Sequence, residues 1–294
     1  NRGPYQAHEV TFAGLAPGAR YTYRIGDGSP DGWSAPYTFA LPDPDQPLRV
    51  IVLGDSRSDM EAWGDVITAV AEHDPAFVVS TGDLISDGRD MNDWNMWFEE
   101  AKDVFPRIPF MPTLGNHENS SPNYIASFAL PRNASREEWA EQFYCVDAGP
   151  SRWLGMNSEL HLGAQAGWLD TVLADDSSPW VFAAFHRPAY SGSKSRGEGN
   201  LDIRRIWSPG FDAHGVAVAW QGHDHFYLRT KSIRGEEIVE DGAGTIYVTA
   251  GGAGAPLYDI ETNRWTEYAE KAYHYVVLDI TTERVEATVY RRPD

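Results

Sequence analysis

Trp220-Gln221-Gly222-His223-Asp224-His225, entered from the apolar run Val216 to Ala219, is the stretch around which the chain is read. A short apolar run closed by glycine predicts a buried strand ending in a turn, and this turn projects two imidazoles from one loop. Similar constructions lie upstream: Val50 to Leu53 before Gly54-Asp55, Phe77 to Ser80 before Gly82-Asp83, and Pro112 to Leu114 before Gly115-Asn116-His117-Glu118. Val181 to Phe185 runs likewise into His186. Each of these strands ends in an oxygen or imidazole donor. Alone, a Gly-Asp after a strand reads as a turn, because both residues are turn formers, and a single histidine there reads as structural. Their repetition in one order is what points to a site.

That order, Gly-Asp, Gly-Asp, Gly-Asn-His-Glu, His, Gly-His-Asp-His, resembles the calcineurin-like metallophosphoesterase superfamily over roughly residues 49 to 290. The resemblance implies an α/β fold, a four-layer α-β-β-α sandwich of two mixed sheets, with a dinuclear metal centre that hydrolyses phosphate esters. The donor chemistry agrees. Carboxylate, amide oxygen and imidazole suit Zn, Mn or Fe, and a thiolate site would need cysteines that the chain lacks. Two such ions clamp a phosphoryl group and make a nucleophile of water near neutral pH. Open α/β sheets place ligands at the carboxyl ends of their strands, where these residues fall.

Carried over residue by residue, the resemblance makes Asp83 the carboxylate that bridges both divalent or trivalent ions. Asn116, His186 and His223 then hold the second ion, and Asp55 and His225 the first. His117 stands beside the leaving-group oxygen as a general acid, with support of neighbouring ligands as its structural alternative. The pattern departs at the first ion. The family usually has His where this chain has Arg57, and purple acid phosphatases have a metal-bound Tyr where this chain has Ser86. The first site is therefore expected to be weak, completed by water or an oxygen such as that of Ser86, and the protein colourless even when loaded with iron. Arg57 is expected either to fork two phosphate oxygens or to pair with a neighbour such as Asp59 or Asp87.

The chain has 294 residues, enough for one or two domains, and a formal net charge of -19. That charge disfavours nucleic acid as a partner and leaves a small phosphate ester to be attracted locally by metal. The single cysteine, Cys145, excludes an internal disulfide framework and is expected to be a small buried residue. No apolar run approaches the length of a membrane helix. Asn1 is not a start methionine, and the opening segment reads as cut from something longer. The triplets at Asn119 and Asn133 fit the glycosylation pattern but are read as polar loop residues.

In order along the chain, His8 to Phe12 and Arg20 to Ile25 alternate around a Pro-Gly turn and predict an antiparallel pair, with Tyr37 to Ala40 as a third run. Leu15-x-Pro17-Gly18 followed by Tyr21-x-Tyr23-Arg24 resembles the second half of a fibronectin type III-like module, as found ahead of the catalytic domain in purple acid phosphatases. Either upstream residues complete that module or these strands pack on something else. The expected division is a partial β segment over 1–41, a Pro-rich linker over 42–48 and the catalytic domain over 49–294. Helices are predicted over Met60 to His73 and Asp93 to Val104, with Trp94, Trp97 and Phe98 in the core. Another is read over Gly163 to Leu173, by likeness to the helix that purple acid phosphatases place before the His186 strand. Ser120 to Glu141 reads as an irregular wall of the site, and Ser191 to Asn200 as a mobile loop. Arg152 to Ser158 reads as a further strand, and Thr245 to Thr249, Tyr275 to Ile280 and Val285 to Tyr290 as closing antiparallel strands.

The leading function is hydrolysis of a phosphomonoester or small diester, with a secreted or periplasmic location expected. The runner-up is a nuclease or phospholipase-type phosphodiesterase. A reading of another class is a phosphate-binding module with a degenerate metal site.

Overall fold

The computed structural model describes residues 7–43, 45–118 and 120–292. Two large sheets carry the catalytic part. The smaller has five strands: β3 (Leu48–Leu53), β4 (Phe77–Ser80), β5 (Phe110–Pro112), β15 (His274–Ile280) and β16 (Val285–Arg291). Their order is β16-β15-β3-β4-β5, with β3, β4 and β5 parallel and β15 and β16 antiparallel. The larger holds β6 (Tyr144–Ala148), β7 (Ser151–Gly155), β8 (Trp180–Ala184), β9 (Val216–Gln221), β10 (Tyr227–Thr230), β13 (Ile246–Ala250) and β14 (Thr266–Glu270). It runs β14-β10-β13-β9-β8-β7-β6, and β11 (Ile233–Arg234) with β12 (Glu237–Ile238) forms a separate antiparallel pair.

Strand periodicity sorts the side chains into three cores and so makes four layers. In β3, Val50 and Val52 face the other sheet, whereas Ile51 and Leu53 face helices α1 (Met60–Glu72) and α2 (Met91–Glu100). In β8, Phe182 and Ala184 meet the first sheet, and Val181 and Ala183 meet α4 (Leu162–Leu173) and α5 (Leu201–His214). Strands buried on both faces read as continuous apolar runs, which is why the quoted stretches stand out.

The expected helices are present with shifted ends. Asp59 caps α1 by accepting from Ala62 N, and Asp90 caps α2 by accepting from Asn92 N, which starts α2 before Asp93. Trp94 and Trp97 are fully buried. Trp97 stacks on Trp63 with ring centroids 5.1 Å apart, and its indole N–H donates to Ser56 Oγ at 2.8 Å, next to Asp55.

Several local expectations change. Residues 120–141 are not wholly irregular: Ser121 caps a short helix, α3 (Pro122–Ser127), with Pro122 at its start. Ile246–Ala250 pairs antiparallel with β10, as expected, but on its other side lies parallel to β9, the strand that leads to the histidines, so it sits inside the sheet rather than closing it. Cys145 is half-buried rather than buried, lying on edge strand β6. The Asn133 side chain is spent on the Cys145 backbone, donating to its carbonyl and accepting from its N–H. Asn119 lies outside the described residues, as does Pro44 of the linker.

At the N-terminal end, His8 to Phe12 forms no strand. Instead β1 (Arg20–Tyr23) pairs antiparallel with β2 (Tyr37–Ala40), where Tyr21 stacks on Phe39 and Tyr23 packs on Tyr37. Tyr23 Oη donates to Pro106 O at 2.8 Å, so the pair packs partly on the catalytic layers. Among the described residues no helix is long and apolar enough to cross a membrane.

Trp97 joins the helical layer to the loop of Asp55, and removing it should be costly. Trp97→Ala is expected to lower stability by about 3–5 kcal/mol, read as a shifted urea midpoint. A loss below about 1 kcal/mol would mean that the helices pack without this indole.

Candidate metal centre

Three of the expected ligands sit immediately beyond their strands in a conformation that L-residues seldom adopt. Asp55 has φ 58°, Asp83 has φ 52° and His223 has φ 67°. Each such residue costs of order 1–3 kcal/mol and persists only where the surroundings over-determine it. The backbone provides that determination. Asp55 N donates to Gly82 O at 2.9 Å, and both Asp55 carboxylate oxygens accept from His223 N at 3.1 and 2.9 Å. Gly82 admits no side chain, since a Cβ there would lie 2.8 Å from Gly115 N.

Four donor atoms converge where the second ion is expected. His186 Nδ1 contacts Thr81 O at 2.9 Å, and a carbonyl only accepts, so that nitrogen carries the proton and Nε2 is left with its lone pair. Nε2 lies 3.2 Å from Asp83 Oδ1, 3.2 Å from Asn116 Oδ1 and 3.0 Å from His223 Nδ1. Buried lone pairs facing one another need a cation between them. Without one, the demand falls on a proton. Burial pushes His186 down, but the Asp83 carboxylate outweighs it and raises the imidazole to about 9. Burial, then the His186 cation, pushes His223 down to about 2. Burial acts to raise Asp83, yet the His186 charge leaves it well below the usual carboxylate range. Asp83, His186 and His223 form a cluster whose ligand atoms lie within 4.8 Å of one another.

The other side of Asp83 is different. His225 Nδ1 donates to Pro256 O at 2.7 Å, and its Nε2 is buried 3.4 Å from Asp55 Oδ1 with no hydrogen-bond partner. Its ring stacks on Tyr258 with centroids 4.0 Å apart. Asp83 Oδ2 is also buried without a hydrogen bond, 3.5 Å from Arg57 Nε and 3.8 Å from His117 Nε2. Orphaned acceptors on both edges are what a metal-binding pocket presents, so the residues fit the group. Arg57 pairs with Asp83 itself, where Asp59 or Asp87 had been expected. Its Nη1 donates to Ser58 Oγ at 3.0 Å, and that hydroxyl is 3.5 Å from Ser86 Oγ. All eight candidate residues, Asp55, Arg57, Asp83, Asn116, His117, His186, His223 and His225, are thus brought to one end of the two sheets.

Three supporting groups had no role in the sequence reading. Glu118 is fully buried and accepts from Asp83 N at 3.1 Å, Leu84 N at 2.8 Å and Gly115 N at 2.6 Å, which locks two ligand loops together. Burial, then repulsion from Asp83, raises it to about 7. Arg196 Nη1 donates to His223 O at 2.6 Å and to buried Asp224 at 2.8 Å, so the segment expected to be a mobile loop is fastened to the histidine turn. Glu159 holds Arg187, whose Nη1 lies 3.5 Å from His223 Nε2. Only Glu118 had a signal in the sequence, its place beside Asn116 and His117.

A family model for calcineurin-like phosphoesterases matches residues 48–227. The chain belongs to this family. An uncharacterised protein of Mycobacterium tuberculosis is 26% identical over 235 residues, covering 65% of this chain and 44% of its own length. Purple acid phosphatase 23 of Arabidopsis thaliana is 25% identical over 288 residues, covering 84% of this chain and 62% of its own. The chain therefore spans less than two thirds of either relative. The solved structure of a purple acid phosphatase from yellow lupin seeds superposes with a TM-score of 0.80 at 22% identity, over 95% of this chain and 58% of that one. The calcineurin-like sandwich of two mixed sheets is thus the fold of this chain.

Glu118→Ala should orphan three buried N–H groups, each worth about 1–3 kcal/mol. Thermal unfolding is expected to move down by several degrees and the metal affinity of the Asp83 cluster to fall with it. An unchanged melting temperature and unchanged metal titration would show that the two loops hold without the carboxylate.

Proposed function

We propose that this calcineurin-like protein hydrolyses small phosphate esters with the help of metal ions held at Asp83. The observation that carries the reading is the convergence of Asp83 Oδ1, Asn116 Oδ1, His186 Nε2 and His223 Nδ1 on one side, with orphaned Asp83 Oδ2 and His225 Nε2 on the other. Zn, Mn or Fe ions bound there supply Lewis acidity to a phosphoryl oxygen and acidify a water molecule. Asp83 would serve both ions, with Asn116, His186 and His223 holding the second and Asp55 with His225 the first.

His117 is the proton donor. Its Nδ1 is 2.6 Å from Ser86 O, and its Nε2 lies 3.8 Å from Asp83 Oδ2, on the side where a leaving-group oxygen would depart. Arg57 lowers the charge that Asp83 offers the first ion and so makes that position the weaker one. With substrate bound, the same guanidinium is placed to swing from Asp83 to two phosphoryl oxygens. The net charge of -19 supports small substrates over polynucleotides. Likeness to purple acid phosphatases supports a location outside the cytoplasm and a catalytic unit running from residue 49, behind a β segment over 1–41 and a linker over 42–48.

A second reading, a phosphate-binding module without turnover, is favoured by the same Arg57 contact. The two separate in the test. Chelation and Asp83→Asn should each abolish hydrolysis of aryl phosphate mono- and diesters, and His117→Ala should lower turnover about 10²–10⁴-fold while metal content stays unchanged, least for good leaving groups. Phosphate binding with no turnover in the metal-loaded protein would establish the binding module instead. Arg57→His is expected to raise the number of tightly held ions per chain in a metal titration. Equal, tight filling of both positions before the substitution would contradict the role given to Arg57.

A further inference from the structure

A cavity of about 570 Å³ opens between the two sheets, at the ends of β8, β9 and β13 where those strands begin, opposite their ligand loops. Trp180, Val218 and Ile246, each half-buried, line it from the larger sheet, and Val285 and Ala287 from the smaller, over the closed core of Phe182, Trp220, Val248 and Leu278. Protein interiors leave few voids larger than a water molecule, and this volume falls in the range of small-molecule sites. Its polar lining is uneven. Arg229, half-buried on β10, and Arg234 at the exposed rim both border it, and neither guanidinium has a hydrogen bond or ion pair among the described residues. The chain has 43 acidic and 24 basic side chains, so two arginines bordering one cavity without a carboxylate partner run against its composition. Asp212, the acid in the lining, already accepts from Gly235 N at 2.9 Å. The indole N–H of Trp220, also in the lining, is buried without an acceptor.

We propose that this inter-sheet cavity binds an amphiphile with a single carboxylate, its apolar body against Trp180, Val218, Ile246 and Val285 and its acid group at Arg229 and Arg234. An apolar lining supplies the affinity through burial, and the guanidiniums select the anion over an uncharged chain of the same length. The site is independent of the metal centre.

Calorimetric titration with decanoate, and with decan-1-ol as its uncharged counterpart, tests this on the whole chain. Decanoate is expected to saturate one site per chain. Arg229→Met should weaken it at least about tenfold while leaving decan-1-ol unchanged, Arg229→Lys should retain it, and Arg234→Ala, at the exposed rim, should weaken it too. Asp83→Asn should bind decanoate as the unmodified protein does. Absence of a saturable site, equal binding in Arg229→Met and Arg234→Ala, or loss of binding in Asp83→Asn, which would put the carboxylate on the metal centre, would each overturn the inference.

Discussion

A carboxylate with one oxygen among buried lone pairs and the other with no hydrogen bond is the constraint on which this structure depends. Asp83 is almost wholly removed from solvent, and an isolated ionised carboxylate in such a place is costly unless cations answer it. The fold surrounds it with candidates for that role: the His186 imidazole on one oxygen, Arg57 and His117 on the other. None of these makes a close, well-aligned bond to Oδ2, which remains unsatisfied. The arrangement reads as a carboxylate held ready for a stronger cation.

Holding it there uses the sandwich as a whole. Parallel strands from two sheets deliver their ends to one edge, and the three positive-φ residues expected as ligands turn their side chains back over it. Glu118 ties the Asp83 turn to the Gly115 turn, Asp55 ties the first loop to the His223 turn, and Trp97 ties Ser56 to the helices. Strain at the ligands is thus offset by hydrogen bonds from groups that never touch the reacting atoms. Such support keeps ligands oriented before an ion arrives.

Much of this was legible in the residues. Continuous apolar runs closed by Gly-Asp or Gly-His told of strands buried on both faces, and their order brought the eight candidate residues into view before any coordinates. What escaped depended on how the chain packs in space. Arg57 was expected to pair with Asp59 or Asp87, whereas its partner is Asp83, the carboxylate that the resemblance reserved for metal. The alternation of His8 to Phe12 suggested a hairpin, yet the aromatic faces of Tyr21 and Tyr23 found Phe39 and Tyr37 instead. The run at Thr245 to Thr249 carried no mark of direction, since parallel and antiparallel partners demand the same apolar residues when both faces are buried. Arg196 lay in a Gly- and Ser-rich segment whose composition gave no sign that a guanidinium there reaches His223 O and Asp224.

The most direct measurement of the central claim is anomalous scattering from crystals of the protein grown with zinc or manganese. The account predicts a strong peak bounded by Asp83, Asn116, His186 and His223, with a weaker second peak between Asp83, Asp55 and His225. A metal-loaded crystal whose peaks lie away from Asp83, with His186 Nε2 still against its carboxylate, would contradict it.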